Sequence, residues 1–136
     1  AVDALPKTDV TAVTILTSLS EEDLFEIGFA QKPLESAVAL ADLSVRAGAR
    51  AIVCSPLEIA AIRNHVGEEP IIITPGVRPS DAQGGDDQIR TMTPQQAMNE
   101  GANFVVIGRP ITNAWKDGAQ ALSSKARAIA DDILSR

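Results

Sequence analysis

The apolar residues of this 136-residue chain gather into short blocks separated by longer amphipathic stretches. Four blocks are compact and rich in β-branched residues: TAVTILT at 11–17, AIVC at 51–54, IIIT at 71–74 and FVVI at 104–107. Short apolar runs bounded by turn residues read as strands buried on both faces. Between them the apolar positions recur at helical spacing. Leu34, Ala37, Val38, Ala41 and Val45 line one face of a helix that begins at Pro33 and stops at Gly48. Ala119, Leu122, Ala126, Ile129 and Ile133 form the stripe of a last helix over about 117–134. Strands alternating with helices imply an α/β domain of parallel strands with right-handed crossovers.

Local signals punctuate the same pattern. Ser20 with Asp23 can cap a short acidic helix over 21–27, which Gly28 ends. Ser55-Pro56-Leu57-Glu58 reads as a capping box with proline in the first turn, and its helix runs to about His65. Thr93-Pro94-Gln95-Gln96 repeats the device ahead of a helix ending near Gly101. RAGARAIVCS (46–55) and NEGANFVVIG (99–108) share a helix end, Gly-Ala and a strand, a weak internal repeat. A polar, glycine-containing and mobile loop is expected at about 79–90. Residues 1–136 read as one domain, but a partial one. Four such strands are half of a closed eight-stranded barrel, and a lone half leaves its first and fourth strands with unpaired edges.

Composition narrows the chemistry. Aromatic residues make up only 3%, so Ala, Val, Ile and Leu must fill the core. The net charge of −6 argues against a broad nucleic-acid surface and leaves local arginines to bind a small anion. A single cysteine, Cys54, and a single histidine, His65, argue against a disulfide within the chain and against a His/Cys metal site. No apolar run approaches the roughly 18 residues of a membrane span. No secretory leader pattern opens the chain, and a cytoplasmic setting is expected.

The candidate site lies at the ends of the third and fourth strands. Gly76 with Arg78 follows one, and Gly108 with Arg109 follows the other. Glycine lets backbone approach a ligand, and arginine offers a planar fork for phosphate. Two strand ends of this kind, one helix apart, are what the last units of a (β/α)₈ barrel use to hold phosphate. Arg109 is the stronger candidate, with the Gly108 amide beside it; the alternative is a surface arginine paired with a carboxylate. Arg78 carries the same argument more weakly, because Pro79 already turns the chain. Gln83 and Gln88, in the loop, can each donate an amide hydrogen to an anion, or merely face solvent. Thr17 and Ser18 end the first strand and can bond a base or sugar edge, Ser18 alternatively capping the next helix. Cys54 reads as a small buried residue, Ser55 as a cap, His65 as a helix-end cation and Trp115 as a plug at the barrel rim.

The segments TAVTILTSLSEEDL, AIVCSPLE, TPGVRP, GDDQIRTMTP and VIGRPIT occur in this order. Together they resemble the C-terminal half of bacterial orotidine 5′-phosphate decarboxylases, over nearly the whole chain. The resemblance implies a TIM (β/α)₈ barrel, here its four C-terminal βα units, from a family that is as a rule homodimeric. It implies decarboxylation of orotidine 5′-monophosphate to uridine 5′-monophosphate (UMP), in pyrimidine biosynthesis, with neither metal nor organic cofactor. It places Gly108 and Arg109 on the substrate phosphate and Arg78 at a ligand-contacting position. Gln88 of DDQ would close over the phosphate, and Thr17 of LTS would lie on the pyrimidine side. Gln83 stands in AQGGD, a form found elsewhere in the family, so either glutamine can be the one that acts. The family's catalytic Asp-x-Lys-x-x-Asp belongs to the N-terminal half, and none of Lys7, Lys32, Lys116 and Lys125 has that spacing. No catalytic residue is therefore expected in this chain, and the missing N-terminal half is its expected partner. A non-catalytic phosphate-binding half-barrel and another phosphate-binding barrel enzyme, such as an epimerase or sugar-phosphate decarboxylase, remain as alternatives.

Overall fold

The structure, a computed structural model, describes residues 1–79 and 92–135. Four strands, β1 (Thr11–Val13), β2 (Ala51–Val53), β3 (Ile71–Thr74) and β4 (Phe104–Val105), form one parallel sheet in the order β1-β2-β3-β4. Helices α1 (Glu21–Glu26) and α2 (Pro33–Arg46) join β1 to β2. A 3-10 turn (Pro56–Glu58) and α3 (Ile59–Val66) join β2 to β3. Helix α4 (Pro94–Asn99) precedes β4; α5 (Arg109–Thr112), a 3-10 turn (Asn113–Asp117) and α6 (Ala119–Leu134) follow it. The expected α/β alternation is present, and it is the architecture of four consecutive βα units of a (β/α)₈ barrel.

Register explains where the core sits. Ala12, Ile52 and Ile72 stand level across three strands, and Ile52 and Ile72 are fully buried. They pack with Ala37 and Ala41 of α2, Ile59 and Ile62 of α3, and Ala97 of α4. The small alanines on α2 let that helix sit close to the sheet. Of the expected α2 stripe, Leu34 departs from the prediction and is 44% exposed. In the last helix only Ile129 is fully buried.

Three strands are shorter than the sequence suggests, β2 by the single residue Cys54 and β1 and β4 by more. The block expected at 11–17 is a strand only to Val13. Thr14 still donates both its amide and its hydroxyl to the Val53 carbonyl, each at 3.0 Å, and the chain then turns, Leu19 N–H donating to Leu16 O. The block expected at 104–107 is a strand only to Val105, although Val106 N–H still donates to Thr74 O at 2.9 Å. There β3 leaves the ladder through Pro75, which has no N–H to offer.

At the opposite end of the sheet, α3 inserts Arg63 between loops. It is 7% exposed and donates to the carbonyls of Gly101 (3.0 Å), Pro70 (2.7 Å) and Gly67 (3.2 Å), and to the Asn103 side chain. Asn103 Oδ1 also accepts from Ile72 N–H at 2.8 Å. One guanidinium thus ties together the end of α3, the start of β3 and the α4–β4 turn.

Candidate functional site

Parallel pairing brings the carboxyl ends of all four strands to one edge of the sheet, where ligands of such folds bind. Hydroxyls fasten that edge. Thr14 Oγ1 donates to Val53 O at 3.0 Å, and the buried Thr74 Oγ1 donates to Cys54 O at 2.8 Å. Neither threonine was singled out from sequence, because strand threonines look alike whether they cross-link or not.

Cys54 is almost fully buried at the end of β2. Burial, with the Glu58 carboxylate adding to it and Arg63 opposing, pushes its thiol up to about 12, so it stays protonated and inert at neutral pH. The expected box at Ser55 forms by half. The buried Glu58 carboxylate accepts from Ser55 N–H at 2.9 Å, whereas Ser55 Oγ, also buried, has no hydrogen-bond partner among the described residues.

Thr17 lies half-buried in the turn after β1, and Ser18 beside it is exposed. Ser18 does not cap α1. Ser20 does, its Oγ accepting from Asp23 N–H at 3.1 Å while Asp23 Oδ2 accepts from Ser20 N–H at 2.8 Å. The two neighbouring strand ends carry the arginines. Beyond β3, Gly76 has φ 79°, a left-handed conformation that a side chain would strain. This turn carries Val77 into a parallel bridge with Met92 and brings in Arg78. Arg78 is 6% exposed; its N–H donates to Met92 O at 2.9 Å and its Nη1 to Val77 O at 3.0 Å.

Beyond β4, Gly108 caps the short helix α5, its carbonyl accepting from Ile111 and Thr112 at 2.9 and 3.0 Å. Among the described residues, a Cβ added at Gly108 would meet nothing within 4 Å. Arg109 is the first residue of α5 and is exposed. The sequence reading missed α5 itself, although Pro110 in its first turn was the available signal. Arg78 and Gly108–Arg109 thus leave adjacent, hydrogen-bonded strands at the same end. Gln83 and Gln88 lie outside the described residues.

Two cavities lie away from these strand ends. A cavity of about 670 Å³ lies between α1 and the start of α2, lined by Phe25 and Phe29 among others. Another, of about 630 Å³, lies between α2 and α3. Among the described residues no group of three or more His, Cys, Asp or Glu side chains comes together to hold a metal. Among them, too, no helix is long and apolar enough to cross a membrane.

Comparison with known proteins agrees with this geometry. The family model described as orotidine 5′-phosphate decarboxylase / HUMPS family matches residues 1–124. The orotidine 5′-phosphate decarboxylase of Thermobifida fusca is 49% identical over 126 residues, covering 93% of this chain and 54% of that protein. The enzyme of the same name from Haemophilus ducreyi is 48% identical over 103 residues, covering 76% of this chain and 44% of that protein. The crystal structure of orotidine 5′-phosphate decarboxylase from Lactobacillus acidophilus superposes with a TM-score of 0.69 at 31% identity, over 89% of this chain and 49% of that one. The chain therefore spans about half the length of the relatives it matches.

Proposed function

This chain belongs to the orotidine 5′-phosphate decarboxylase / HUMPS family, and on that premise we propose that it is the C-terminal, phosphate-gripping half of an orotidine 5′-monophosphate decarboxylase. The observation that supports the reading is the parallel pairing of β3 with β4, from whose carboxyl ends the turns carrying Arg78 and Gly108–Arg109 leave. A phosphate dianion over the backbone of Gly108 receives its amide and the Arg109 guanidinium. Charge-assisted hydrogen bonds of this sort contribute roughly 1.5–3 kcal/mol each. Arg78 supports the same anion from the neighbouring strand, and Gln88, or Gln83, reaches it from the loop. Thr17, with Ser18, faces the pyrimidine from the end of β1.

In the reaction the bond from C6 of the pyrimidine to its carboxylate breaks and CO₂ leaves. The electron pair left on C6 takes a proton, giving UMP. The proton comes from the lysine of the Asp-x-Lys-x-x-Asp motif, which this chain lacks and the N-terminal half supplies. No metal or organic cofactor is needed. Phosphate binding far from the reacting carbon is used to lower the barrier there. The complete protein is then a cytoplasmic homodimer acting in pyrimidine biosynthesis.

The division of labour is tested by CO₂ release from orotidine 5′-monophosphate. The 136-residue chain alone should release none above the uncatalysed rate, and the family-length protein containing it should be active. Turnover by the chain alone would place a catalytic lysine among its own four and overturn the reading.

A further inference from the structure

The β2–β3 ladder can be followed rung by rung to the edge that carries the arginines. Ile71 N–H donates to Arg50 O at 2.9 Å, and Cys54 N–H donates to Ile73 O at 3.2 Å. In a parallel ladder each strand bonds a given neighbour through alternate residues, so the next rung would run from residue 75 to Cys54 O. Residue 75 is proline and has no N–H. Thr74 supplies the rung instead: its Oγ1 donates to Cys54 O at 2.8 Å, with Pro75 O a longer contact at 3.3 Å. On the other side the Thr74 carbonyl accepts from Val106 N–H at 2.9 Å. Thr74 itself is fully buried. One residue thus ties the ends of β2 and β4 to β3, four residues before Arg78 and, through Val106, three before Arg109.

We infer that Thr74 is a positioning residue for the phosphate grip, its hydroxyl fixing where the turns that carry Arg78 and Arg109 leave the sheet. The inference rests on the phosphate reading above and adds a buried residue to it. The hydroxyl stands where the ladder would otherwise be one bond short. Past it the chain turns at once, through Gly76 at φ 79° and into the Val77–Met92 bridge, so a shift of Thr74 is passed on to Arg78. Val106 hangs on the same residue, so the end of β4 shifts with it. Two arginines on separate turns grip one dianion only while those turns keep their spacing, and a misplacement of about 1 Å can cost on the order of a hundredfold in rate. Thr14 offers the comparison. It makes the like bond, Oγ1 to Val53 O at 3.0 Å, between β1 and β2, and neither of those strands leads into an arginine of the grip.

The test uses the family-length protein containing this chain. Thr74→Val keeps the shape and removes the donor. Its kcat/KM on orotidine 5′-monophosphate should fall on the order of tenfold to a hundredfold, while that on orotidine, which lacks the phosphate, should change little. Thr74→Ser should restore most of the loss, and Thr14→Val should not distinguish the two substrates. Combined with Arg109→Ala, the Thr74→Val loss should be less than additive, as for residues that serve one contact. Thr74→Cys, of similar size and with a weaker donor, gives the same comparison if the valine variant does not fold. Affinity for inorganic phosphate is titrated alongside. That binding needs no decarboxylation, so a weakening by Thr74→Val supports the inference even where the decarboxylase reading fails. An equal loss on both substrates, no loss at all, a loss that serine leaves in place, or the same discrimination from Thr14→Val would overturn the inference and leave the decarboxylase reading standing.

Discussion

Arg63 shows at the residue scale how much of a fold one buried cation can hold. Its partners Gly101 and Asn103 lie 38 and 40 residues away in sequence, and nothing local marks it as different from the exposed Arg50 or Arg46. That is why the sequence reading passed over it. Gly101 was legible as a helix end, but its φ of 107° and the 3.1 Å gap that a Cβ would leave to Arg63 are tertiary facts. Glu68, 3.8 Å away and 90% exposed, adds little to the charge balance. The carbonyls do the holding. Arg63→Met should therefore leave several buried acceptors unmet and cost roughly 3 kcal/mol or more. Arg63→Lys should recover only part, since one ammonium cannot span the same fork. Urea unfolding at unchanged m-value measures both. A loss below about 1 kcal/mol would mean that water replaces the guanidinium.

Element boundaries were most legible where backbone chemistry is local. Thr93 and Ser20 both form the caps that the sequence announces. At Ser20 the backbone and hydroxyl donors hold the Asp23 carboxyl below its ordinary 3.8, so the cap is complete above that pH and is lost as pH falls through the lowered value. The repeated Gly-Ala pairs also have a common structural cause. Ala49 N–H bonds Ser44 O, and Ala102 N–H bonds Ala97 O, so α2 and α4 end in the same way. Strand ends were less legible, because a β-branched run continues past the point where its neighbour leaves the ladder, as at Thr14 and Val106. Helix α5 is a single turn without an apolar stripe, so periodicity could not reveal it. At Thr93, Gln96 N–H donates to the hydroxyl at 3.2 Å and Gln96 Oε1 accepts from Thr93 N–H at 3.0 Å. Thr93→Ala should cost about 1 kcal/mol, whereas Thr93→Ser should be nearly neutral. Equal losses in thermal melts of the two variants would remove the cap as the cause.

At the scale of the whole molecule, strand order and the common end of the site residues followed from alternation alone. Enclosure did not, because a half-barrel supplies only one wall of its pocket. The reading of this chain as a phosphate grip therefore has to be tested in the family-length protein, where both halves of the barrel are present. The decisive measurement is kcat/KM for Arg109→Ala on orotidine 5′-monophosphate and on orotidine, which lacks the phosphate. Loss of about two charged hydrogen bonds should lower the value on the phosphorylated substrate on the order of a hundredfold to ten-thousandfold. Arg109→Lys should restore only part of it, since a point charge cannot make the forked contact. On orotidine the loss should nearly vanish, because the partner of Arg109 is already gone. An equal loss on both substrates would mean that Arg109 acts through the structure of α5, and the phosphate assignment would be contradicted.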